Sequence, residues 1–91
     1  MNADNSLELL KFHAPWCGPC KAMNPIVETV MAEFDNVELK GVDVDEDPDS
    51  AVAYEVRSVP MLILLKNGEK VGSLIGLRSA EEVKDFLTSN S

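Results

Sequence analysis

The sequence predicts an α/β fold: a four-stranded mixed sheet in the order β-α-β-α-β-β-α, with helices on both faces. A strand-length run, Leu7 to Ala14, carries apolar residues on both alternating faces, as a strand covered from two sides must. Directly after it, Ala22, Met23, Ile26, Val27, Val30, Met31 and Phe34 recur at three- and four-residue spacing, which marks an amphipathic helix from Gly18 to Phe34. Further on, two apolar runs flank Asn67-Gly68, a dipeptide that accepts positive φ at both positions and so favours a tight hairpin.

Each element has a local reason. Leu7 to Ala14 (LELLKFHA) reads as a central strand. Pro25 falls inside the helix that follows, where it removes one backbone hydrogen bond and crowds the carbonyl of Lys21, so a kink is expected there. Val37 to Val44 (VELKGVDV) alternates roughly and suits a second strand, weakened by Gly41. Asp47 followed by Pro48 is an N-cap with proline at the first helical position, opening a short helix that ends near Val56. Met61 to Lys66 and Lys70 to Ile75 form the antiparallel hairpin. Ser79 and Glu82 make a capping box ahead of Val83, Phe86 and Leu87, the buried face of a final helix. The early β-α-β unit requires a parallel, right-handed crossover.

At 91 residues the chain can build one small core but not two, and no repeat or linker divides it, so a single domain over residues 1–91 is expected. A hydrophobic content of 45% with 26% charged residues excludes disordered and collagenous chains. Eight basic against 16 acidic residues give a net charge of −8, which repels phosphate backbones and anionic membranes and argues against nucleic acid or a membrane as partner. The longest apolar stretch, Met61 to Leu65, is far short of the ~20 residues of a membrane-spanning helix. Met1 to Ser6 lacks the basic start and apolar stretch of a secretory leader, so the expected location is the cytoplasm. Both polar ends, Met1 to Ser6 and Thr88 to Ser91, are expected to fray. Two cysteines are too few for a secreted scaffold stapled by disulfides.

Those cysteines lie in Trp16-Cys17-Gly18-Pro19-Cys20, where the first strand gives way to the helix. Free backbone N–H groups and the positive end of the helix dipole face Cys17 and favour its thiolate, below the ~8.5 of a free cysteine. Cys17 is the expected nucleophile. Cys20, one helical turn on, reaches the sulfur of Cys17 and is expected to be the more buried, resolving thiol. Pro19 limits backbone freedom in both redox states. Simpler readings fit less well. Buried cysteines often serve as small hydrophobes, but that role does not require a tryptophan, a Gly-Pro pair, a strand upstream and a helix downstream together. A structural zinc site normally needs four Cys or His ligands, and the chain offers two cysteines and His13, so no metal and no cofactor is expected. Five of the seven residues from Asp43 to Asp49 are acidic, yet a calcium-binding EF-hand loop from Asp43 needs glycine where Pro48 stands and glutamate where Tyr54 stands. A solvated loop at the start of a helix accounts for these acids.

From Leu7 to Leu87 the chain resembles thioredoxins. The resemblance rests on FHAPWCGPCK at Phe12 to Lys21, Pro25, VDVDEDP at Val42 to Pro48, VRSVP at Val56 to Pro60, KNGE at Lys66 to Glu69, and Gly76, with WCGPC the most specific. It implies the minimal thioredoxin fold, a cis peptide bond before Pro60, and a shallow groove bordered by Trp16, Val59, Pro60 and Gly76, where an extended substrate segment pairs with the backbone near Val59. It also implies the reaction. Cys17 thiolate attacks a protein disulfide, and Cys20 then displaces the substrate thiol and closes the redox-active Cys17–Cys20 disulfide. A thioredoxin reductase, in most such systems an NADPH-dependent flavoprotein, restores the dithiol. The implied substrates are disulfide-containing proteins, and a monomer is expected.

The sequence also departs from that family. Thioredoxins usually begin with an additional strand and helix, and only Met1 to Ser6 precedes the first matched strand, so one sheet edge is expected to be less covered. Six residues before Cys17, where thioredoxins commonly place a buried aspartate, stands Lys11, and Gly41 stands where the family's opposing lysine is common. Charged and close, Lys11 stabilises thiolate; neutral, it serves as a base for Cys20. The plainer reading is an edge lysine whose stem covers apolar surface. His13 replaces a second tryptophan; its imidazole either tunes Cys17 near neutral pH or is a hydrogen-bonded structural residue. Lys21 reads as a solvated charge. A protein-disulfide reductase is the leading function. The alternatives are a thioredoxin-fold binding subunit of a larger complex, and a disulfide oxidase or isomerase, which would want an exported chain and a less reducing dipeptide between its cysteines.

Overall fold

The structure is a computed structural model that describes residues 7–90. The expected fraying of Met1 to Ser6 and of Ser91 concerns residues outside that range. Strand β1 (Leu7–His13) pairs in parallel with β2 (Val37–Asp43), with Leu9 opposite Leu39 and Lys11 opposite Gly41. On its other side β1 pairs antiparallel with β3 (Met61–Lys66), which pairs antiparallel with β4 (Glu69–Ile75). The order β2-β1-β3-β4 makes β1 and β3 the central strands, as their two-sided apolar patterns require.

Alternation along these strands sorts their side chains between two cores. Leu7, Leu9, Leu62 and Leu64 share one face with Val37 and pack against Met23, Val27 and Val30 of α1 (Gly18–Met31) and Val83, Phe86 and Leu87 of α3 (Ala80–Asn90). Leu10, Phe12, Met61, Ile63 and Leu65 form the other face with Val42, Val44, Tyr54, Val56 and Val59. Each fully buried leucine of these clusters contributes roughly 1.5–3 kcal/mol relative to an exposed one. Helix α2 (Pro48–Ala53) buries no residue of its own, but Tyr54 at its C-cap tilts its ring against Phe12, with centroids 6.0 Å apart. Beside Tyr54 a cleft of about 390 Å³ reaches Leu10, Val42 and Leu65.

Local chemistry explains the boundaries. Asn67 and Gly68 both adopt positive φ, 55° and 85°, and close the hairpin as their types demand. A register shift places Leu64 opposite Gly72 and Leu65 opposite Lys70, so Val71 is the extra residue of a bulge. The capping box forms: Glu82 N–H donates to Ser79 Oγ at 3.2 Å, and Ser79 N–H donates to the Glu82 carboxylate at 3.0 Å. Asp47 accepts from Ser50 N–H at the start of α2. Three expectations are corrected. Helix α1 ends at Met31 rather than Phe34, because the last amides turn back onto carbonyls three residues earlier, Glu33 onto Val30 and Phe34 onto Met31. Helix α2 stops at Ala53, short of Val56, through a paired cap: Glu55 N–H donates to the Val52 carbonyl and Val56 N–H to the Ala51 carbonyl, with Glu55 left-handed at φ 57°. Thr88 to Asn90 do not fray but belong to α3, where Asn90 Nδ2 donates to the Phe86 carbonyl at 2.8 Å.

Candidate active site

Cys17 is the N-cap of α1, with extended backbone angles, and its sulfur accepts the N–H of Cys20 at 3.1 Å. Gly18 and Pro19 make the first positions of the helix, so the chain turns from strand to helix across the motif. The two cysteines are joined as a disulfide, their Cα atoms 5.3 Å apart. The expected difference in burial is slight: Cys17 is 4% exposed and Cys20 3%. Both pack with Ala14 against Val44 and Val59. A helix start that aims an amide at sulfur stabilises negative charge on that atom once the disulfide is opened.

The residues expected to border a groove are linked to one another, Trp16 to Val59 across a shared cleft and Gly76 to Pro60 by a hydrogen bond, and Val59 lies beside this sulfur. The Val59–Pro60 peptide is cis, and the Val59 carbonyl oxygen lies 3.7 Å from Cys17 Sγ. Gly76 N–H donates to the Pro60 carbonyl at 2.8 Å, which fixes the end of β4 beside the proline. Gly76 has φ 89° and nothing within 4 Å of where a Cβ would stand, so the surface above it is open. Trp16 is 69% exposed and donates Nε1–H to the Asp45 carboxylate at 3.0 Å. Between Trp16 and Val59 lies a small apolar cleft of about 160 Å³, completed by Val44, Ala51 and Val56 with Arg57 and Ser58.

Lys11 and His13 are placed differently. Lys11 Nζ donates to Asn24 Oδ1 of α1 at 2.6 Å. The His13 ring lies over Gly41, its Nε2 3.5 Å from where a Cβ of residue 41 would stand. Neither makes a hydrogen bond to a cysteine sulfur among the described residues. Lys21 is exposed. Sequence reasoning missed Asp45 as the partner of Trp16 and Asn24 as the partner of Lys11. No local signal marks either pairing, since each is made across the fold. Among the described residues no cluster of His, Cys, Asp and Glu is arranged to hold a metal, and no helix is long and apolar enough to cross a membrane.

A family model described as Thioredoxin matches residues 1–89. This chain belongs to the thioredoxin family. It is 41% identical over 85 residues to a thioredoxin of Chlamydia pneumoniae, covering 93% of this chain and 79% of that one. A thioredoxin of Staphylococcus epidermidis is 38% identical over 85 residues, covering 92% and 82%. Among solved structures, a mutant thioredoxin from Halobacterium salinarum superposes with a TM-score of 0.86 at 42% identity, covering 97% of this chain and 77% of that one. A reduced Schistosoma mansoni thioredoxin pre-protein gives 0.86 at 35% identity, covering 97% and 82%. With its Cys17–Cys20 disulfide, this thioredoxin is a thiol–disulfide oxidoreductase that reduces protein disulfides. Thioredoxins act on disulfide substrates and are themselves reduced by thioredoxin reductase.

Proposed function

We propose that Cys17 is the attacking thiolate and Cys20 the resolving thiol of this thioredoxin, with substrate held against Trp16, Val59, Pro60 and Gly76. The observation that carries the assignment is the N–H of Cys20 directed at Cys17 Sγ, 3.1 Å away at the start of α1. It favours charge on Cys17, and Cys20 is already within bonding reach. An extended substrate segment would meet the Val59 backbone while its apolar side chains enter the cleft beside Trp16. In the exchange, Cys17 sulfur bonds to one substrate sulfur and the other leaves as a thiolate; Cys20 then attacks Cys17, closing the internal disulfide and releasing the second substrate thiolate. Lys11 and His13 are assigned as groups that modulate the thiols. We take the chain as one domain acting as a cytoplasmic monomer, recharged by an NADPH-dependent flavoprotein reductase.

The test is reduction of insulin disulfides, driven first by a chemical dithiol and then by NADPH with a flavoprotein thioredoxin reductase. The wild type should be active with both electron sources. Cys17→Ser should be inactive, and Cys20→Ser should accumulate a mixed disulfide with insulin through Cys17, visible by mass spectrometry without reductant. Activity retained in Cys17→Ser would overturn the assignment of the nucleophile.

A further inference from the structure

Lys11 is a cation on the buried side of a sheet. Alternation along β1 puts it on the face of Leu7 and Leu9, beneath α1, and it is half-buried there. In register it is flanked by Gly41 of β2 and Leu62 of β3, neither of which carries charge. A lysine so placed normally meets a carboxylate. Instead, Nζ donates to the side-chain carbonyl of Asn24 at 2.6 Å, and Lys11 takes part in none of the ion pairs among the described residues. A neutral amide orients an ammonium without cancelling its charge.

Asn24 follows Cys20 by four residues in α1, so the two lie on one helical stripe, about 6 Å apart along the axis. Helical side chains lean toward the N-terminus, which brings the Asn24 amide, and the ammonium it holds, toward the turn that carries Cys20. We propose that the Lys11–Asn24 pair fixes a positive charge behind the cysteine pair and thereby favours the dithiol over the disulfide, making this thioredoxin a milder reductant than the same fold without that charge. The proposal deepens the modulating role assigned to Lys11 above and adds Asn24 as the residue that positions it.

The balance of the exchange shows why one redox state feels the charge more. When two glutathione molecules reduce the protein, the Cys17–Cys20 bond breaks and one glutathione disulfide bond forms. Two electrons pass to the cysteine sulfurs. The two thiol protons go to the cysteines, or one goes to solvent where Cys17 stays a thiolate. Where Cys17 stays a thiolate, the reduced state carries a negative charge that the disulfide lacks, and a nearby cation stabilises that form alone.

Asn24→Asp separates charge from architecture, because aspartate keeps the bridge to Lys11 while neutralising the ammonium. Equilibration in glutathione buffers should show Asn24→Asp and Lys11→Met both shifted toward the disulfide by about three- to tenfold, with thiolate absorbance appearing at higher pH than in the wild type. Lys11→Arg should stay within about twofold of the wild type. The Tm of Asn24→Asp should equal or exceed that of the wild type. An equilibrium unchanged in Asn24→Asp, or moved toward the dithiol, would overturn the proposal, as would a Lys11→Met variant that loses stability without moving the equilibrium. Should Lys11→Met not fold, Asn24→Asp and Lys11→Arg still decide. Insulin reduction by the wild type is read separately, so loss of the reductase reading and loss of this one are distinguishable.

Discussion

The Trp16 indole donates its N–H to the carboxylate of Asp45, 3.0 Å away, so a ring that is 69% exposed is nonetheless held in one orientation beside Cys17. An exposed aromatic ring fixed in advance adds contact area to a bound segment without the entropy cost of ordering it. Trp16→Ala should therefore raise KM for insulin about three- to tenfold while leaving the rate at saturation little changed. Asp45→Ala should raise KM by a smaller factor, about twofold, because the ring remains but is no longer tethered. Steady-state kinetics on both variants check this, and an unchanged KM in Trp16→Ala would remove the ring from the binding surface.

Glu55 holds a left-handed conformation at φ 57° to close the C-terminus of α2, a position where glycine carries no steric penalty. Glu55→Gly relieves that strain and offsets it partly through the greater freedom glycine gives the unfolded chain. The expected net effect is stabilisation by up to about 1 kcal/mol, read as a higher midpoint in urea. A lower midpoint would mean that the glutamate side chain makes a contact worth more than the strain.

Gly72 lets α3 lie close on β4. A Cβ there would come within 3.0 Å of the Phe86 ring and of the Asn90 side chain. Gly72→Val should displace both and destabilise the protein by about 1–3 kcal/mol, measured by denaturant unfolding. Loss of amide exchange protection should concentrate in α3.

The capping box makes a prediction about pH. The Glu82 carboxyl is held below its ordinary 4.5, chiefly by the backbone N–H of Ser79; desolvation opposes this as the next largest effect, and the Ser79 and Arg78 side chains add smaller lowering contributions. A carboxyl whose folded value is depressed contributes stability that is present above the unfolded value and is lost as pH falls through the folded one. The Tm gap between wild type and Glu82→Gln should therefore be widest near neutral pH and close as the pH drops below about 4.5. A gap that stays constant to acid pH would show that the carboxylate charge plays no part in the cap.

What could be read along the chain was what depends on neighbours in sequence. Asn67-Gly68, Ser79 with Glu82, and Asp47-Pro48 each act within a few residues, and each forms as its chemistry dictates. The cysteine pair was legible for the same reason, since its geometry is set by one helical turn. Helix α2 ran short of expectation because Glu55, not glycine, makes its left-handed cap, so no residue type announced the stop. The last residues of α3 looked like a polar end, yet Asn90 bonds back to Phe86 and rests against β4 at Gly72. The partners Lys11 with Asn24 and Trp16 with Asp45 are brought together only by folding, across 13 and 29 residues, and no local pattern records them.

Val44 and Val59 each pack on two groups at once, the cysteine cluster and the core around Phe12 and Met61. The redox centre is therefore not an appendage that can breathe by itself. Any fluctuation large enough to admit a reagent to Cys20 must also loosen the interior on that face of the sheet, so the sulfurs inherit the cooperativity of the whole hydrophobic layer.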